Sequence, residues 1–149
     1  MATPSVRRGK VALPRGGFAH YEGSIRNKVA LVYAAQAGVY IGTLFDAADL
    51  TGLHREQLAE MLSLSMKTLL RYQQENRRLG PASSEWLLKL IAIFRQGEIV
   101  FGSVDSFRAW LQKPAFGLGN QRPFDLLPTV SGMDLIADEL SRIEYGTLA

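Results

Sequence analysis

Residues 55–74, REQLAEMLSLSMKTLLRYQQ, divide into two short amphipathic segments on either side of Ser63-Leu64-Ser65. Leu58, Ala59 and Leu62 follow the i, i+1, i+4 spacing that gathers side chains on one helical face. Ala59 is small enough to let a second helix cross closely over the first. Leu64 plugs the turn from within, and Ser65 offers a hydroxyl to cap the segment that follows. That second helix, Met66 to Gln74, buries Leu69 and Tyr72 and leaves Lys67, Thr68, Leu70, Arg71, Gln73 and Gln74 on its other faces. A packed back with a basic, amide-rich front suits a helix that lies in a DNA major groove. Ser65, Met66, Lys67, Thr68, Arg71 and Gln74 are the residues expected to face it. The alternative is a plain helical hairpin inside an all-helical core. Such turns most often carry a glycine, and here Ser63 stands in that place.

The chain has 149 residues, 47% of them hydrophobic, enough for one domain or two small ones around a real core. It has no cysteine, which removes disulfides, thiolate zinc sites and cysteine nucleophiles together. His20 and His54 alone make a histidine metal site implausible, and neither a metal nor a cofactor is expected. The longest uncharged run, the 17 residues Val29 to Phe45, is interrupted by Gln36, Gly38, Gly42 and Thr43. Two core helices meeting near Gly38 explain it better than a membrane span or a signal peptide, so a cytoplasmic protein without membrane contact is expected.

The net charge of +3 is unevenly spread. Residues 1–30 set Arg7, Arg8, Lys10, Arg15, Arg26 and Lys28 against Glu22 alone, a net of +5. Residues 31–102 balance to zero, and residues 103–149 carry −2. A basic head and a slightly acidic tail imply two different partners, with nucleic acid at the basic end.

Residues 1–23, with Pro4, Pro14 and four glycines but no apolar period, read as a flexible basic arm, either inert or DNA-tracking. Ser24 is expected to cap a helix to Ala37, and Tyr40 to Leu50 to form a second. After the 55–74 segment, Pro81 breaks the chain, and Ser83 or Ser84 caps a helix over residues 85–100 that ends at Gly102. These elements make a DNA-binding domain over residues 24–102. A smaller domain, 103–149, begins at Ser103 or Asp105 with a helix carrying Phe107, Trp110 and Leu111 and stopped by Pro114. Pro123 opens a short turn, Thr129 caps a final helix, and Gly146 ends it. Met133, Ile136, Ala137, Leu140 and Ile143 form one apolar stripe on that helix. No sustained period-two alternation occurs, so the fold class is all-α.

Phe101-Gly102, Trp110-Leu111, Pro114, Pro123-Phe124-Asp125-Leu126-Leu127, Thr129, Gly132, Leu140 and Arg142-Ile143-Glu144-Tyr145-Gly146 are similar to the toxin-binding domain of Xre/MbcA/ParS-type antitoxins. The preceding helices resemble that family's Xre-like DNA-binding part, including Thr68-Leu69 and Leu79 before Ser83-Ser84. The match covers residues 25–146. It differs at Phe116-Gly117-Leu118-Gly119-Asn120, where the family more often has an asparagine soon after the proline and a Gly-Gly pair. The resemblance implies an antitoxin that neutralises a neighbouring RES-domain toxin acting on NAD+ and represses the shared operon. On that reading Arg142, Glu144, Tyr145, Gly146 and Leu148 contact the toxin and block its active site.

From the residues alone, Trp110 with Phe107 is a core anchor, and the stripe containing Ile136 and Leu140 packs on its own core or forms a dimer seam. A homodimer on an inverted repeat is expected, with Phe107, Trp110, Ile136 and Leu140 as its dimerisation or core residues. Glu144 and Tyr145, beyond the stripe, suit a partner surface. A stand-alone transcriptional repressor is the alternative function. An enzyme is not expected, because Asp134, Asp138 and Glu139 lie mainly opposite the stripe, as a solvated face does.

Overall fold

A computed structural model describes residues 17–146. Among them are eight α-helices and no strand, in agreement with the all-α expectation. The helices are α1 (Glu22–Ile25), α2 (Lys28–Ala37), α3 (Gly42–Thr51), α4 (Arg55–Met61), α5 (Met66–Glu75), α6 (Pro81–Phe101), α7 (Val104–Leu111) and α8 (Val130–Glu144). A 3-10 turn, Gly17–Tyr21, leads into α1, and two more, Phe116–Leu118 and Pro123–Leu126, lie between α7 and α8.

The 21-residue α6 is the spine. Leu87, Leu88, Leu90, Ile91 and Phe94 have no exposed surface, and a helix so apolar all round must be covered all round. Helices α2, α3, α7 and α8 pack on it and cover it. Gly97 lets α7 approach, since a Cβ there would sit 2.3 Å from the Phe107 ring. Phe107 then meets Phe94 edge-on at 4.9 Å and stacks with Trp110 at 5.9 Å. Residues 24–102 and 103–146 therefore share one core, with α7 packed on α6 at Gly97 and α8 running along α6 from Lys89 to Gln96.

Phe107, Ile136 and Leu140 are fully buried in the chain's own core, and Trp110 is half-buried against Phe101 and Phe107. The fully buried part of the stripe packs on α6 within the chain. Periodicity reports that a face is covered, not by which chain.

Three local expectations are corrected. Residues 1–16 of the expected arm lie outside the described residues, but residues 17–23 are not an extension free of structure. Phe18, Tyr21 and Ile25 follow an i, i+3, i+7 spacing, Tyr21 and Ile25 are buried, and the Tyr21 hydroxyl donates to the Asp46 carboxylate. Burial and that carboxylate push the Tyr21 phenol above its ordinary pKa. Ser24 lies inside α1, and Asn27 caps α2 by accepting from the Ala30 N–H at 2.8 Å. The helix expected over 85–100 starts earlier, with Pro81 opening α6 at its first turn, where no N–H is needed. Ser84 is consequently inside α6, buried, accepting from the Val39 N–H at 2.9 Å and donating to the Leu79 carbonyl.

Candidate DNA-binding and partner-binding surfaces

Helices α4 and α5 form the expected helix-turn-helix. Leu58 and Ala59 are buried, and the Leu64 N–H bonds to the Ala59 carbonyl at 2.8 Å, pulling Leu64 under the turn. Ser63 takes the left-handed conformation with φ of 59°, the one usually left to glycine. The Ser65 hydroxyl accepts from the Thr68 N–H at 3.0 Å, so the expected cap is in place. Leu69 is the fully buried root of α5 and Tyr72 is half-buried. Ser65, Lys67, Arg71 and Gln74 stand exposed on the helix, whereas Met66 and Thr68 are partly covered. Met66 packs against the core, so of the six residues expected in the groove it is the one most committed to the interior.

Two further arginines extend this surface. Arg77 lies over the Tyr72 ring at 4.5 Å and pairs with Glu75 at 3.1 Å, and Arg71 lies over the same ring at 5.4 Å. Arg78 lies over Tyr40 at 4.3 Å and donates to the Gly38 carbonyl at 2.7 Å. Backbone bonds Leu79 N–H to Val39 and Ile41 N–H to Arg77, both 2.8 Å, pin the segment leaving α5 against the start of α3. Gly38 (φ 86°) permits this, since a Cβ there would lie 2.7 Å from the Leu79 carbonyl oxygen. The adjacent Arg77-Arg78 pair was the available sequence signal, but it falls beyond the helix end at Asn76, where facial periodicity no longer applies.

The other surface is built on α8. Thr129 caps it by accepting from the Gly132 N–H at 3.0 Å. Gly132 lets the Pro123–Leu126 turn lie on the first helical turn, because a Cβ would be 2.1 Å from the Leu126 carbonyl oxygen. The Trp86 indole donates to the Leu127 carbonyl at 2.9 Å and fastens this turn to α6. Arg122 grips Asp125 through two bonds, 2.7 and 3.2 Å, which hold the Asp125 carboxyl below the usual carboxylate range. The Pro-Phe-Asp-Leu-Leu stretch is thus a brace.

Arg142 donates through Nε and Nη2 to one oxygen of Glu139, at 2.9 and 2.7 Å, and the Glu139 side chain is only 5% exposed. Glu139, read as part of a solvated face, is instead a buried carboxylate held by that guanidinium. Glu144 is exposed beside a shallow groove bordered by Ile25, Ala92 and Ile99. Tyr145 is 74% exposed, and Gly146, at φ 68°, follows as the expected stop. Leu148 lies outside the described residues. Lys89 pairs with Asp134 at 2.6 Å across α6 and α8. Among the described residues no helix is long and apolar enough to cross a membrane.

The molecule thus carries a helix-turn-helix and, joined to it through α6, a separate displayed surface at the end of α8. Residues 30–92 match the antitoxin Xre-like helix-turn-helix domain, and residues 96–146 match the antitoxin Xre/MbcA/ParS C-terminal toxin-binding domain. The chain is 30% identical over 111 residues to the Prs ADP-ribosylating antitoxin of Sphingobium sp. strain YBL2, covering 67% of this chain and 70% of that one. It is 25% identical over 97 residues to antitoxin Xre of Yersinia enterocolitica serotype O:8, covering 64% of this chain and 65% of that protein. The chain belongs to the Xre/MbcA/ParS antitoxin family.

Proposed function

We propose that this antitoxin neutralises a RES-domain toxin encoded beside it by denying NAD+ access to the toxin's active site, and that it represses its own operon. The end of α8 does the first task. Arg142, Glu144, Tyr145 and Gly146, with Leu148 in the tail, are the residues assigned to the toxin. The observation that carries this is placement: the matched toxin-binding span ends in an exposed charged and aromatic turn on a helix whose other side is locked into the core. The Sphingobium relative's name includes ADP-ribosylation, a reaction whose usual donor is NAD+. The chain acts by occlusion and needs no catalytic group or cofactor of its own.

The second task falls to α5, as part of a homodimer on an inverted repeat. Ser65, Lys67, Thr68, Arg71 and Gln74 read the groove and Arg77 takes a flanking phosphate, with Met66 shaping the helix start. The dimer contact lies outside the buried Phe107, Ile136 and Leu140. Promoter affinity should fall with added salt in proportion to the phosphates neutralised. The test is co-expression with the neighbouring toxin gene: the intact chain restores growth, and a Glu144→Arg, Tyr145→Ala variant that remains folded does not. Full rescue by that variant would remove the tail from neutralisation.

A further inference from the structure

Phe116 is 94% exposed, more than any other large apolar side chain among the described residues. Such exposure in a frayed terminus would mean little, but this ring sits on a loop that is fastened on every side. Ala115 and Gln121 close the loop as an isolated antiparallel bridge, with the Ala115 N–H on the Gln121 carbonyl at 2.9 Å. Inside it the N–H groups of Leu118 and Asn120 both bond to the Ala115 carbonyl, at 3.0 and 2.9 Å. Ala115 is buried and Leu118 packs on the core, so the neighbours of Phe116 turn in while Phe116 turns out.

The loop is also fitted to α8. A Cβ on Gly117 would lie 2.2 Å from a Glu139 carboxylate oxygen, so the backbone at 117 lies directly over that carboxylate. Glu139 is in turn held by Arg142, one of the residues assigned above to the toxin. Leu135, half exposed, lies seven residues before Arg142 and so on the same side of α8, and the exposed Tyr145 follows at the helix end. An aromatic on a hydrogen-bonded loop beside this row offers apolar area, ~150–250 Å² when covered, from a backbone already held in place.

We infer that Phe116 is a second toxin-binding anchor, inserted into an apolar pocket of the toxin beside the surface contacted by Arg142 and Tyr145. This rests on the toxin-binding reading given above. It adds that the 115–121 loop determines which toxin is accepted, and that Gly117, Glu139 and Arg142 hold the anchor in place. The toxin rather than a second copy is the occupant because the loop falls within residues 96–146, the matched toxin-binding span, and is clamped to the helix that ends in the proposed contact.

The experiment is calorimetric titration of the purified RES-domain protein from the adjoining reading frame into the full chain, wild type, Phe116→Ser and Phe116→Leu. Thermal melting and promoter binding serve as folding controls, since a side chain this exposed supports no internal packing. Phe116→Ser should weaken toxin binding by about 30-fold, the effect of truncating a hot-spot aromatic, while Phe116→Leu retains most of the affinity. A serine variant within about two-fold of wild type would overturn the anchor and leave the toxin-binding reading standing. Failure of the wild-type chain to bind the toxin at all would strike that reading itself. A loss of dimer on light scattering with toxin affinity unchanged would give the loop to a second copy and likewise overturn the anchor.

Discussion

Helices α5 and α8 each begin at a hydroxyl cap, Ser65 and Thr129, and each is amphipathic, yet they are rooted to different depths. In α5 only Leu69 is fully buried, and most of the remaining helix faces outward. In α8 Gly132, Met133, Ile136, Glu139 and Leu140 are all buried, and what is displayed is one side and the C-terminal end. A helix meant to enter a groove must be offered on a narrow base, so its composition alone reveals its task. A helix that is mostly scaffold hides its task at its margins, where Arg142, Glu144 and Tyr145 follow the stripe.

The contrast is sharpened first by stability. Ile136→Ala should destabilise the chain by about 2–5 kcal/mol in urea unfolding, as deletion of a fully buried side chain does. Leu70→Ala on half-exposed α5 should stay within about 0.5 kcal/mol. Equal losses would mean the two helices are equally rooted. Next comes DNA. Lys67→Ala with Arg71→Ala should leave the melting temperature close to wild type but weaken promoter binding by about 1–3 kcal/mol and flatten its salt dependence. Unchanged affinity in a mobility-shift titration would remove α5 from the groove. A smaller effect is expected from Ser65→Ala, which loses the cap on the Thr68 N–H and should lower stability by about 1 kcal/mol in thermal melts. The smallest is a gain. Ser63→Gly relieves a left-handed serine, set against glycine's greater unfolded-state freedom, for a net of a few tenths up to about 1 kcal/mol.

The same contrast explains what could be read in advance. The 55–74 segment was legible because polar and apolar residues segregate over two full helices and the caps are local. Ser103 and Thr129 were legible for the same local reason: each side chain accepts from the N–H three residues on. Tyr21 was hidden by the Gly- and Pro-rich residues before it, since its partner Asp46 is 25 residues away. The start of α6 was placed too late because Ser83 and Ser84 look like caps, whereas Gly80 caps the helix and Pro81 opens it. The stripe of α8 announced burial but not its partner, α6. Arg77 and Arg78 escaped because their placement depends on the backbone link to Val39 and Ile41, a long-range pairing that no spacing encodes. The proposed toxin-binding assignment of the α8 end comes from family likeness. Composition alone left only a charged aromatic turn.

The central claim is that DNA and toxin are engaged by separate surfaces of one rigid body joined through α6. It is tested most directly by scoring promoter repression and growth rescue together, in one strain carrying the toxin gene and a promoter reporter. The account predicts that Lys67→Ala with Arg71→Ala loses repression and keeps rescue, while Glu144→Arg with Tyr145→Ala keeps repression and loses rescue. Loss of both functions by either folded variant, or of neither, would contradict it.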